Sequence, residues 1–132
     1  MDQSLGTIGG VAPERGAGKR GRRGEVEEHI PPVLSAERAA AVRLLKPYLK
    51  AVADINRIAI LQELTREGEA GLSVQDLSDR LLLSQPLTSW HLHILKRSRL
   101  VKASHLGRQR IYRLDRERMA EHRELFDWVL DL

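Results

Sequence analysis

The sequence predicts a mainly α-helical domain closed by one small β-hairpin, and three observations predict it. Five segments between Ser35 and Leu132 carry apolar residues at three- and four-residue spacings, each opened by a serine or an aspartate. Only Leu82 and Leu83 separate the third segment from the fourth, a connection too short for anything but a tight helix-to-helix turn. After Arg99 the apolar period changes from helical to alternating around Gly107-Arg108, which reads as two strands and a turn.

Seven of the ten glycines fall within the first 24 residues, together with the basic run Gly18-Lys19-Arg20-Gly21-Arg22-Arg23-Gly24. Such a composition buries too little apolar surface to offset chain ordering, so residues 1–32 are expected to be a disordered tail. Glu25, Glu27 and Glu28 cancel the basic run at once, which favours a solubilising tail over a DNA-binding arm. Residues 33–132 then make up the folded domain, with helical order starting at Ser35. Ser35 caps the first helix and Pro47 is expected to break or kink it near Lys46. Asp54 caps a second, with Ile55, Ile58, Leu61 and Leu64 as its apolar stripe and Gly68 as its end. Ser73-Val74-Gln75-Asp76 opens a short third helix with Val74, Leu77 and Leu81 inward.

The fourth segment, Ser84 to Arg97, sets the reading of function. Ser84 is an N-cap and Pro86 lies in the first turn, where its missing N–H costs nothing. Leu87, Thr88, His91, Leu92 and Leu95 form the inward side. Gln85, Ser89, Trp90, His93, Lys96 and Arg97 form the outer side, which holds donors and cations but no acid. This is the pattern of a helix that lies in a DNA major groove. Strands over 100–106 and 109–114 follow, with Arg108, Arg110 and Arg113 around the tip. A helix-turn-helix with a cationic hairpin behind it is a winged helix.

Charge placement agrees. Residues 71–114 hold two acids, Asp76 and Asp79, against eight bases, and no acid stands between Arg80 and Arg113. A one-signed stretch of that length points to a polyanionic partner. The chain has no cysteine, which removes disulfides, thiol redox sensing and thiolate-ligated metals. No apolar run reaches membrane-spanning length, so neither a transmembrane helix nor a membrane partner is expected, and the protein is expected to be cytoplasmic. The final helix, capped by Asp115, carries Met119, Leu125, Phe126, Trp128, Val129 and Leu130 over more than one face. That surface packs either on the first helix of the same chain or, the favoured reading, on a second copy. Leu45, Leu49, Leu125, Phe126, Trp128 and Val129 are then its dimer interface.

These residues resemble the ArsR/SmtB family of bacterial winged-helix repressors over about residues 45–115. Three segments carry the resemblance: Ala53-Asp54-Ile55-Asn56-Arg57 through Leu61, similar to the family's Asp-Pro-x-Arg helix start; Leu83-Ser84-Gln85-Pro86 through Ser89, His91-Leu92 and Leu95; and Leu100-Val101 with the wing Gly107 to Leu114. Ile55 replaces the usual proline, Ser98-Arg99 stands where Ala-Gly normally ends the recognition helix, and Trp90 replaces a usually polar residue. The resemblance implies a dimeric transcriptional repressor on an imperfect inverted repeat of double-stranded DNA, released by an inducer. Two recognition helices related by a two-fold axis reach major grooves roughly 34 Å apart. Gln85 and Ser89 are placed to meet base edges, and Lys96, Arg97, Arg108 and Arg110 to meet phosphates. Ser84, Pro86, Thr88, Trp90, His93 and Gln109 complete the expected DNA-contacting set.

Family metal sites resemble Cys-x-Cys at the third helix or Asp-x-His with a later His-x-x-His or His-x-x-Glu on the last, where His122 is followed three residues on by Leu125. Ser73-Val74-Gln75-Asp76 and Asp115-Arg116-Glu117 match neither, so no metal site and no cofactor are expected. Two alternatives stay open: a metal sensor sharing Asp, Glu and His ligands (His29, His105 or His122) across a dimer, and a winged-helix protein-interaction module without DNA specificity. The favoured input is a small organic or non-thiophilic inducer. No nucleophile–base pair or phosphate loop is present in the sequence, so the chain is not expected to be an enzyme.

Overall fold

Five side chains that can accept an amide hydrogen bond decide where the helices of this computed structural model begin. Of the 132 residues, the structure describes 28–132, so the expectation for the tail lies, over residues 1–27, outside the described residues. The side chains of Ser35, Asp54, Ser73, Ser84 and Asp115 each accept from the amide three residues on, and the helices follow: α1 (Ala36–Val52), α2 (Ile55–Glu67), α3 (Val74–Leu81), α4 (Gln85–Arg97) and α5 (Arg116–Leu130). Ser73 makes a full capping box, because the Asp76 carboxylate in turn accepts the Ser73 amide. Gly68 ends α2 at φ 67° and starts a single 3-10 turn, Gly68–Ala70.

In α1 the break expected near Lys46 is absent. The helix runs unbroken from Ala36 to Val52 with Pro47 inside it. Pro47 removes the bond its amide would give to Arg43, but both residues lie on the exposed side of α1, where water can reach a backbone that lacks a donor.

The turn between α3 and α4 is as short as the sequence demands. Leu82 takes the left-handed conformation (φ 56°, ψ 42°), its amide bonds the Ser78 carbonyl, and the Leu83 amide does the same at 3.1 Å. At the far end of α4 the chain turns through Arg99 at φ 63°, so a non-glycine residue does make the left-handed turn where Ser98-Arg99 requires one.

The hairpin is present as β2 (Val101–Leu106) and β3 (Gln109–Leu114), in register from Val101↔Leu114 to Leu106↔Gln109. A third strand was not read from the sequence. β1 (Leu72–Ser73) pairs antiparallel with β3, Leu72 opposite Tyr112 and Ser73 opposite Ile111, so the strand order is β1-β3-β2. Two residues are too few to show a period, but they anchor the base of the wing to the start of α3. The core lies where α2, α3 and α4 meet this sheet: Leu64, Leu77, Leu92, Leu95 and Leu100 are fully buried within one cluster that also takes in Tyr112 and Leu114. Together these elements make a mainly helical winged helix-turn-helix domain.

Candidate DNA-binding face

α4 divides as its sequence pattern says, with two exceptions. Thr88, His91, Leu92 and Leu95 are buried, while Ser84, Gln85, Pro86, Ser89, Trp90, His93, Lys96 and Arg97 are exposed. Leu87, expected inward, is 38% exposed. Thr88 stood in both the buried set and the DNA-contacting set, and the structure puts it in the first. It is fully buried, and its hydroxyl donates to the Ser84 carbonyl at 2.9 Å. A hydroxyl turned into its own helix has nothing to offer a base, so Thr88 leaves the DNA-contacting set.

The cations of the one-signed stretch separate into two groups. Arg80 is held by Glu63 at 3.3 Å and Glu67 at 2.9 Å, which ties α3 to α2 and cancels its charge locally. Those carboxylates raise the Arg80 pKa, so its charge is fixed. Arg113 is also engaged, its Nε donating to the Glu69 carbonyl at 2.6 Å and its Nη1 to the Ser104 hydroxyl at 2.7 Å. Lys96, Arg97, Arg99, Lys102, Arg108 and Arg110 are exposed and have no carboxylate partner among the described residues. These six are the cations left for a polyanion, with Arg110 leaning over the Tyr112 ring at 5.9 Å. Sequence reasoning left Arg99 and Lys102 out. Alternation along β2 was the signal for Lys102, since its neighbours Val101 and Ala103 are both turned toward the core.

Gln85 does not stand alone. Its Nε2 donates to Gln75 Oε1 on α3, and Gln75 Nε2 donates to Asp79 Oδ1 at 3.1 Å.

His91 is held from below. Arg57, with a side chain only 11% exposed, donates Nε to the Ala51 carbonyl at 2.7 Å and Nη2 to the Lys50 carbonyl at 3.4 Å. Its Nη1 reaches His91 Nδ1 at 3.2 Å, so Nδ1 accepts and the ring proton sits on Nε2. The Arg57 amide lowers the pKa of Asp54 by capping its carboxylate. Burial pushes the His91 pKa down, and Arg57 adds to this, while Asp54 opposes it. With a folded pKa below the unfolded one, the neutral ring's contribution is complete above the unfolded value and is lost as pH falls through the window beneath it. Wild-type protein is therefore expected to lose stability between pH 7 and pH 5, and His91→Gln to lose less over that range. Urea midpoints at the two pH values check this.

At the other side of the domain, α1 and α5 pack on each other within one chain. Arg38 donates to the Trp128 and Val129 carbonyls at the end of α5, pairs with Asp131 at 2.9 Å and lies over the Trp128 ring at 4.6 Å. Tyr48 stacks on His122 with centroids 4.5 Å apart. Leu45 is 1% exposed, so it is covered by its own chain and cannot also meet a second copy as the dimer assignment had it. Leu49, Phe126 and Trp128 keep exposed surface, Leu125 and Val129 are half-buried, and Val42, Leu44 and Leu130 are exposed beside them. A cleft of about 320 Å³ opens here, lined by Tyr48, Leu49, Val52, Arg123, Phe126 and Asp127. Among the described residues no three His, Asp or Glu side chains come together as a metal site, and no helix is long and apolar enough to cross a membrane.

The fold and this face define a winged helix-turn-helix regulator of transcription. The profile of the bacterial regulatory proteins of the arsR family matches residues 54–103, from the Asp54 cap into β2. No curated protein matches the chain. Solved structures do. The ArsR-like transcriptional regulator from Rhodococcus is 27% identical, with 68% of this chain and 82% of that one aligned at a TM-score of 0.61. HlyU from Vibrio cholerae is 33% identical over 67% of this chain and 96% of its own, with a TM-score of 0.50. The homodimeric winged helix-turn-helix DNA-binding domain of Mb0332 from Mycobacterium bovis is 27% identical, covers 74% of this chain and 87% of its own, and has a TM-score of 0.57. The chain belongs to the arsR family.

Proposed function

We propose that the chain is a cytoplasmic transcriptional repressor that binds an inverted-repeat operator as a homodimer, with the DNA-binding and dimerisation work carried by residues 33–132. The observation that carries the reading is the exposed side of α4 and the wing. Gln85 and Ser89 stand in the first turns of α4, and Lys96, Arg97, Arg108 and Arg110 offer positive charge unpaired by carboxylates among the described residues. Gln85 and Ser89 read base edges, while the four cations hold phosphates and give affinity without sequence information. Ser84, Pro86, Trp90, His93 and Gln109 are exposed around them and complete the contact surface. Pairing of two copies covers Leu49, Phe126 and Trp128, as the homodimeric Mb0332 domain makes reasonable.

Release by a small organic inducer fits the cleft between α1 and α5. Its walls are mainly apolar and include Arg123 and Asp127, and the neighbouring His122 Nε2 is buried without a hydrogen-bond partner. A molecule with an apolar body and one hydrogen-bonding group suits that lining.

The test uses operators selected from a random DNA pool. Gln85→Ala combined with Ser89→Ala should abolish preference for the selected sequence and keep salt-dependent binding to any duplex. Arg108→Ala combined with Arg110→Ala should weaken binding to all sequences by roughly tenfold or more and flatten the salt slope by about four, since two phosphate contacts are lost in each subunit of the dimer. Absence of any DNA affinity at low salt sinks the reading.

A further inference from the structure

Gln75 and Asp79 belong to α3, and neither was expected to take part in recognition. We infer that they form a relay that fixes which end of the Gln85 amide faces DNA, and so set its base preference. The inference rests on the reading of Gln85 as a base reader.

Hydrogen-bond polarity forces the arrangement. An ionised carboxylate only accepts, so Asp79 requires the NH2 end of Gln75, and the two meet at 3.1 Å. Gln75 is thereby left with its oxygen toward α4. That oxygen also only accepts, so it draws the NH2 end of Gln85, and Gln85 Nε2 donates to it. The i, i+4 spacing of Gln75 and Asp79 on one helix places the first link, and the short turn through Leu82 and Leu83 brings the first turn of α4 to the second.

The result is a glutamine that cannot flip without breaking a bond. One N–H of Gln85 is used by Gln75, which leaves its Oε1 and its second N–H free. Those two groups match the major-groove edge of adenine, where N6 donates and N7 accepts. Guanine presents two acceptors, N7 and O6, and a fixed Oε1 has nothing to give the second. A free glutamine could turn its NH2 end to guanine, and the relay forbids that turn. Asp79 is an acid beside a surface meant for phosphates, and its role as the fixed acceptor accounts for it.

The experiment measures binding of the full-length protein to a selected operator and to the same duplex with adenine replaced by guanine at the position whose preference Gln85→Ala erases. Wild-type protein should favour adenine by about tenfold or more. Asp79→Asn keeps the side chain's shape but can both donate and accept, so Gln75 becomes free to turn, and the ratio should fall to about threefold. Gln75→Ala should do the same. Removing the Asp79 charge raises affinity for every duplex alike, which the ratio ignores. In the Gln85→Ala background neither variant should change the ratio. Both variants lie on the exposed side of α3, and nonspecific binding that is kept by Gln75→Ala and kept or raised by Asp79→Asn verifies that they fold.

An unchanged ratio in both variants, with Gln85→Ala still erasing it, overturns the relay and leaves Gln85 as a reader. An equal change in the Gln85→Ala background also overturns it, because the effect would not pass through Gln85. If Gln85→Ala erases no preference anywhere in the operator, the base-reading assignment falls and the relay falls with it.

Discussion

Gly71→Ala is expected to lower the stability of the folded domain by about 3 kcal/mol or more, or roughly 12 °C or more in Tm. Two independent costs meet at this residue. Its backbone lies at φ 69° and ψ −179°, a region open in practice only to glycine. A Cβ there would also stand 2.6 Å from Ile111 Cγ2 and 2.7 Å from the Tyr112 carbonyl oxygen. The second contact is with backbone of β3, the central strand, so relief requires the strand itself to move. Gly68 supplies the control. It lies at φ 67° and ψ −138° but has nothing within 4 Å of the added atom, so Gly68→Ala should show the conformational cost alone, about 1–3 kcal/mol. Thermal melts of the two variants separate strain from collision. Equal losses would mean that β3 shifts without cost, against the close packing of β1 on it.

The contrast between these two glycines also shows what a sequence can and cannot disclose. Gly68 is legible, because it ends an apolar stripe at Leu64 and a helix needs a terminator there. Gly71 is not, because its need comes from Ile111 and Tyr112, some forty residues away. The same division runs through the whole domain. Ser35, Asp54, Ser73, Ser84 and Asp115 could be read as caps because a cap acts on an amide three residues on. The wing turn at Gly107 and the buried side of α4 are equally local. Pairing of Leu72-Ser73 with β3, and the contact of Gln75 with Gln85, depend on how elements cross, which no period encodes. Pro47 misled for the opposite reason. Its local cost is real, but α1 packs along α5 and runs on through it. On the candidate site, local reading found the exposed face of α4 and the wing cations. It misassigned Thr88, whose hydroxyl bonds back to its own helix, and it could not see that Arg80 and Arg113 are occupied by groups from α2 and the turn after it.

Arg57→Met should cost about 3 kcal/mol in urea unfolding, because one guanidinium serves four partners, of which the buried Ala51 carbonyl and His91 Nδ1 have no substitute. The Ala51 carbonyl, at the end of α1, loses its side-chain donor, while the Lys50 carbonyl keeps the Ala53 amide at 3.3 Å. His91 Nδ1, on the buried side of α4, loses its donor as well. Asp54 keeps its cap on α2 and is one-third exposed, so water can take over its charge, and it adds little to the loss. Arg57→Lys should recover only part of the stability, since one ammonium cannot span two carbonyls and an imidazole in the way a planar fork does. The pH dependence carries a second, sharper expectation. Burial and the Arg57 charge both depress the His91 pKa, and Asp54 opposes them. Without Arg57 the folded value moves back up toward the unfolded one, so Arg57→Met should lose less stability than wild type between pH 7 and pH 5, despite being less stable at both. An unchanged pH slope would mean that His91 senses burial and Asp54 but not Arg57. A reduced slope would establish that Arg57 joins the end of α1 to the recognition helix electrostatically as well as by hydrogen bonds.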